Sequence, residues 1–212
     1  MVQDQELVGA ARPTAAERLE LTRTRLLDAV IESLAEVGFA ATSTTEVARR
    51  SGLTRGAQLH HFGTKDQMLL AAVEHLNTRG NPEQILAALD QMSDDERLHA
   101  ALAVLSRFAE GPYPAAYAEL WLASRSHPEL EGALREADVN ARDSVRALFG
   151  PAILAKAGPE FDTLLDFTMY ALRGMALDAH FSSREERDAR RAIIVGLEKY
   201  LIQAMKQPRK KG

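Results

Sequence analysis

The chain has 212 residues, 46% apolar and 26% charged, with no cysteine and a formal net charge of −4. That length allows one large domain, or a small one fused to a larger one, with enough apolar residue for a buried core. The lack of cysteine excludes a disulfide framework and a thiolate metal site. No apolar run approaches a bilayer span, and the opening MVQDQELVGAARPT lacks the apolar segment of a secretory signal, so a soluble, cytoplasmic protein is expected.

Residues 1–13 are polar and are expected to be a disordered extension. Thr14 and Glu17 have capping-box spacing and open a helix to about Val37, with Leu26, Val30, Leu34 and Val37 on one stripe; Gly38 stops it. Ser43 and Glu46 repeat the capping spacing, so a second helix should start at Thr44, with Val47 and Ala48 inward. Gly52 suits a left-handed turn, Leu53 can plug the angle, and Thr54 can cap a third helix from Arg55 to about Phe62. Two short helices with this punctuation form a helix-turn-helix, whose second helix enters the major groove. Thr64, with Gln67 at the reciprocal position, caps a fourth helix through Met68, Leu69, Ala72, Val73 and Leu76, which Gly80-Asn81-Pro82 ends.

Helical punctuation continues downstream. Helices are expected over 83–92, 94–110 (capped by Ser93 and Glu96), 114–126 and 129–148. A loop should lead from Gly150-Pro151 to Gly158-Pro159, followed by helices at 161–181 and 184–206 and a basic tail at 207–212. Period-two alternation is nowhere sustained, so the fold is expected to be all-α with no sheet.

Charge divides the chain. Residues 38–65 hold Arg49, Arg50, Arg55 and Lys65 against Glu46, a balance of +3, whereas residues 67–205 hold 14 basic and 21 acidic residues, a balance of −7. A small basic head on an acidic body fits a protein that touches DNA with one end. Lys65 beside free backbone N–H groups at a helix start suits a phosphate.

The stretch 38–66 closely resembles the DNA-binding head of the TetR family of bacterial transcription regulators. The resemblance rests on Gly38-Phe39, Ser43, Val47-Ala48, Gly52-Leu53-Thr54, Gly56, His61-Phe62 and Thr64-Lys65-Asp66. It implies a helix-turn-helix DNA-binding domain at 14–66 and a helical ligand-binding and dimerisation domain at 67–206. DNA contacts are then expected among Ser43, Thr44, Thr54, Arg55, Gly56, Gln58, Leu59, His60, His61 and Lys65. The groove-facing set would be Thr54, Arg55, Gln58 and His60, with His61 and Phe62 packing the head. Where the family has an apolar residue and then a phosphate-touching tyrosine, this chain has Gln58 and Leu59. Gln58 is therefore expected as a polar reader in the tyrosine's stead.

Tyr113, Tyr117 and the single tryptophan Trp121 cluster in the middle of the body. Helical spacing makes core packing the simpler reading. The resemblance implies a small-molecule pocket, with Met92, Phe108, Tyr113, Tyr117, Trp121, Arg125 and Tyr170 as candidate lining and Ser124 or Glu119 as further polar groups. The last two helices carry apolar residues on two faces. In the first, one stripe is Leu165, Thr168, Leu172, Met175 and Ala179 and another is Phe167, Ala171, Gly174 and Phe181; in the second, a stripe from Ala189 to Ala204 includes Gly196, Leu197 and Tyr200, while Ile194, Val195 and Ile202 lie elsewhere. One face serves the core and the other needs a partner, which the resemblance identifies as a second copy joined through residues 161–206.

No nucleophile elbow, phosphate loop or dinucleotide fingerprint occurs. Adjacent His60 and His61 point apart on a helix, which disfavours a metal pair. No cofactor, metal or catalytic residue is expected. The expected function is a homodimeric transcription regulator, a repressor released from a palindromic operator by a largely apolar effector. The alternative is a helical small-molecule-binding protein whose head no longer reads DNA.

Overall fold

The computed structural model describes residues 14–78 and 82–178, together with positions 195, 199, 202 and 203. The expectations for residues 1–13, for the helix at 184–206 apart from those four positions, and for the tail lie outside the described residues, as do Ala179 and Phe181. The described residues form nine α-helices and no strand: α1 (Ala15–Ala41), α2 (Thr44–Ser51), α3 (Arg55–Phe62), α4 (Lys65–Thr78), α5 (Pro82–Leu89), α6 (Asp94–Glu110), α7 (Tyr113–Ala123), α8 (Pro128–Ala157) and α9 (Glu160–Asp178).

The helix starts follow local hydrogen bonding. Thr14 and Glu17 form the full capping box at α1, as Ser93 and Glu96 do at α6. At α4 the Thr64 N–H donates to Gln67 Oε1 at 3.1 Å, and the Gln67 N–H donates to Thr64 Oγ1 at 3.2 Å. At α2 only half of the expected box forms. Ser43 Oγ accepts the Glu46 N–H at 3.2 Å, but the Glu46 carboxylate turns outward to two arginines.

Two glycines break helices where expected, but helix resumes after each. Gly38, at φ 80° and ψ 173°, interrupts α1 after Val37, and a short further helical turn runs to Ala41. Thr42 Oγ1 seals the kink by donating to the Gly38 carbonyl at 2.8 Å, and it pairs with Ser33 Oγ at 2.9 Å. Val37, the last residue before the kink, is 44% exposed and does not join the buried stripe of Leu26, Val30 and Leu34. Gly150, at φ 72°, kinks α8 in the same way. The segment after it is helical rather than the expected loop, because Pro151 there occupies the first turn of a new run, where its missing N–H costs nothing.

Two apolar cores form among the described residues. The first joins Leu26, Val30, Ile31 and Leu34 of α1, Val47, Phe62, and Met68, Leu69, Ala72 and Val73 of α4 to Ala116, Tyr117 and Leu120 of α7 and Leu130 and Leu134 of α8. The second packs Leu98 and Leu102 of α6 against Phe149 and Ile153 of α8 and Phe161 and Leu165 of α9. Phe149 meets Phe161 edge to face, with centroids 5.1 Å apart. Arg142 and Arg146 of α8 pair with Asp166 and Asp162 of α9 across the outer rim.

Gly150 is a critical joint. Arg97 of α6 donates from Nε to the Leu148 carbonyl and from Nη2 to the Ala147 carbonyl, both at 2.8 Å, satisfying backbone freed by the kink. A Cβ at position 150 would lie 2.8 Å from the Arg97 guanidinium. Gly150→Ala is expected to lose about 1–3 kcal/mol through the left-handed backbone and the displaced arginine. Thermal melting should fall by about 2–4 °C for each kcal/mol in a chain of this size.

Candidate nucleic-acid interface and ligand cavity

The helix-turn-helix is built by α2 and α3 against α1. Gly52 closes α2 in the left-handed conformation (φ 66°, ψ 21°), and Thr54 caps α3 by accepting the Ala57 N–H. Leu53 packs against the first core. Arg25 of α1 donates to the Ser51 carbonyl at 2.9 Å and so holds the end of α2. Glu46 accepts from Arg49 Nη2 and Arg50 Nε, both at 2.6 Å, and Arg50 Nη1 also pairs with Glu36 of α1 at 2.6 Å. Hydrogen bonds from Arg49 and Arg50 hold the Glu46 carboxyl down at about 2.

The outer surface of α3 presents Thr54, Arg55, Gly56, Leu59 and His60, all exposed. Ser43 and Thr44 lie half-buried at the start of α2. Gln58 does not join the outer set, which corrects the expectation that it reads bases. Its side chain is fully buried, its Nε2 contacts Met68 Sδ at 3.5 Å, and its Oε1 has no hydrogen-bond partner among the described residues. It occupies the inward position where the resemblance places an apolar residue. His61 is half-buried with its ring 6.0 Å from Phe62, and burial, His60 and Arg23 together lower its pKa. Lys65 donates to the Phe39 carbonyl at 3.4 Å and lies 4.9 Å from the centre of the Phe39 ring. It thereby ties the start of α4 to the end of α1.

Head and body meet through polar contacts as well as the shared core. Glu119 of α7, expected as a pocket group, instead accepts the Phe39 N–H at 2.8 Å. The Phe39 ring lies 4.9 Å from that of His127. His75 of α4 pairs with Asp28 of α1 at 2.9 Å.

A cavity of about 190 Å³ opens between the two cores, bounded by α4 to α9. Of the expected lining residues it takes only Phe108 and Tyr117. Trp121 and Tyr170 lie on the outer side, 38% and 63% exposed, and Met92 and Arg125 are also exposed. Tyr113 stacks on Phe108 behind the wall, with centroids 5.3 Å apart. Ser124 folds back to the Trp121 carbonyl. The aromatic spacing placed these residues on one helix but could not say which face turns inward. Leu76, Leu105, Leu148, Leu172 and Arg173 were missed as lining. A cation next to Leu172 in an apolar run was the available signal.

An exposed stripe runs along α9, with Phe167 65%, Tyr170 63% and Leu177 38% exposed. Gly174 lies within it, and a Cβ there would meet nothing within 4 Å.

A basic helix-turn-helix on a helical body with an internal cavity defines the class of DNA-binding transcription regulators. Residues 26–72 match the profile described as "Bacterial regulatory proteins, tetR family". The chain is 30% identical over 141 residues to an uncharacterised HTH-type transcriptional regulator of Mycobacterium tuberculosis, covering 65% of this chain and 72% of that protein. It is also 30% identical over 128 residues to the HTH-type transcriptional regulator BetI of Burkholderia thailandensis, covering 58% of this chain and 63% of that one. Among solved structures, a transcriptional regulator from Rhodococcus sp. Rha1 aligns with TM-score 0.56 and 26% identity, over 86% of this chain and 93% of that one. Salmonella enterica GusR aligns with TM-score 0.56 and 20% identity, over 88% and 96%, and shares the fold. The chain belongs to the TetR family and is a DNA-binding transcription regulator.

Two predictions follow from the head. Gln58→Leu removes a buried oxygen without a partner and is expected to stabilise the protein by about 1–2 kcal/mol in denaturant titration while leaving base preference intact. Glu46 has a folded pKa near 2, below the ordinary 4.5, so its contribution to stability is present above about pH 4.5 and is lost as pH falls toward 2. Glu46→Gln should flatten the acid limb of a pH–stability curve in that window.

Proposed function

We propose that the protein is a homodimeric repressor, released from a palindromic operator when a small effector occupies the cavity. Residues 14–66 form the DNA-binding unit and 67–206 the ligand-binding and dimerising unit. It acts in the cytoplasm by binding rather than by catalysis. The observation that carries this reading is the placement of α4. Its first turns supply Met68 and Leu69 to the core of the head, and its later Leu76 lines the cavity. A ligand that displaces Leu76 therefore acts on an element that also seats the recognition helix.

Thr54, Arg55, Leu59 and His60 form the groove-facing set, with Arg55 suited to guanine and Leu59 to a thymine methyl. Ser43, Thr44 and Lys65 supply backbone contacts that fix register. The exposed stripe of Phe167, Tyr170, Gly174 and Leu177 forms the interface with a second copy, and two heads then read the two half-sites.

Selection from random duplexes is expected to yield a palindrome bound with steep salt dependence. Arg55→Ala should cost about 1–3 kcal/mol and relax preference at one position, whereas Lys65→Ala should weaken all duplexes alike. A protein that selects no duplex would refute the regulator mechanism. Gly174→Glu places a charge in the stripe and should give a monomer in sedimentation at micromolar concentration; an unchanged dimer would place the interface elsewhere.

A further inference from the structure

The described cavity wall is apolar except at three positions. Tyr117 is one, and its hydroxyl is already engaged, donating to the Leu134 carbonyl at 3.1 Å. Ser144 contributes a hydroxyl. Arg173 is the only charged residue among the described lining, and no carboxylate stands with it there. Its guanidinium is largely buried, with 16% of the side chain exposed, and it pairs with Asp138 of α8. Three rings surround it: Tyr117 at 4.9 Å, Tyr170 at 5.6 Å and Trp121 at 5.7 Å from ring centre to guanidinium carbon.

This arrangement selects a charge. An organic cation entering the cavity would meet a guanidinium and no carboxylate on the described wall. A neutral ligand would gain the apolar surface and a hydrogen bond without charge complementarity. An anion would find a desolvated guanidinium with a planar set of donors, which matches carboxylate geometry. Asp138 is not part of the wall, and 21% of its side chain is exposed, so it can be rehydrated when it loses its partner. One carboxylate then replaces another, and the local charge count is restored. A dry cavity of about 150 Å³ accommodates benzene, so about 190 Å³ suits an apolar body of one ring or a short chain.

We propose that the effector is a small monocarboxylate with an apolar body, anchored by Arg173 in exchange for Asp138. This rests on the reading of the cavity as the effector site. The exchange draws the guanidinium away from Trp121 and Tyr170, on the side of α9 where the exposed stripe lies. Cavity occupancy is thus signalled to that surface by the movement of one charge. Trp121 reports binding from outside the cavity, because a cation close to its ring is repositioned.

The test uses the full-length protein and three matched series: benzoate, 3-phenylpropionate and octanoate, with their amides and the corresponding amines. Binding is read by Trp121 fluorescence and by calorimetry. At least one carboxylate should bind, about tenfold or more tightly than its amide, and amines should not compete. Arg173→Gln should erase the preference for carboxylate over amide while amide affinity stays unchanged. Asp138→Asn should tighten carboxylate binding several-fold, since it removes the competitor. A purely structural ion pair would give the opposite sign. Should Arg173→Gln fail to fold, the Asp138→Asn result decides. Absence of binding by all three carboxylates, an equal or tighter amide or amine, a preference that survives Arg173→Gln, or weaker binding in Asp138→Asn would each overturn the proposal. Duplex release is scored separately. Carboxylate binding without any DNA binding would refute the repressor reading alone, and duplex release by neutral compounds would refute the anionic effector alone.

Discussion

The first apolar core does not stop at the head. Leu26, Val30 and Leu34 of α1 and Leu69 and Val73 of α4 belong to one buried cluster with Tyr117 and Leu120 of α7 and Leu134 of α8. Protein interiors are close-packed, so a shift of α7 or α8 is passed to α1 and α4 rather than absorbed. A helix-turn-helix of two eight-residue helices buries too little apolar surface to hold its orientation alone. Its geometry is borrowed from the body. The cavity then sits at the seam between this core and the second one, where a small volume change acts on both.

Polar contacts set the angle that apolar packing leaves free. Arg25 fixes the end of α2, His75 and Asp28 join α4 to α1, and Glu119 receives the N–H of Phe39 just beyond the Gly38 kink. Each is part-buried, so each is protected from the screening that makes exposed pairs weak. The kink itself exposes a backbone N–H close to α7, where Glu119 can reach it. Without a residue able to take φ 80° at position 38, that bond would not form.

The sequence was most legible where structure is decided locally. Capping residues fixed the starts of α1, α4 and α6 within a residue, because a side-chain oxygen and an N–H three residues away need no distant partner. It was least legible where orientation decides. Gly38 and Gly150 were legible as breaks, but not that the chain resumes as helix beyond them, where Thr42 and Arg97 take up freed carbonyls. Gln58 looks polar and therefore outward, yet the pitch of α3 points it at Met68. Tyr117 and Trp121 share a helix, but only the first reaches the cavity wall. A cation in the apolar run of α9 hinted at Arg173, but its partner Asp138 lies 35 residues away, so the pairing could not be read from the sequence.

The clasp of Glu46 on Arg49 and Arg50 has a consequence for the search along a genome. Non-specific affinity grows with the number of phosphates a protein neutralises, because each neutralisation frees a condensed counterion. Two of the four basic residues between positions 38 and 65 already hold a carboxylate of the same protein. They release fewer ions on meeting an arbitrary phosphate. That lowers the gain from an arbitrary phosphate relative to four unpaired cations. The discount on non-specific contact is set by one glutamate placed a single helical turn before two arginines.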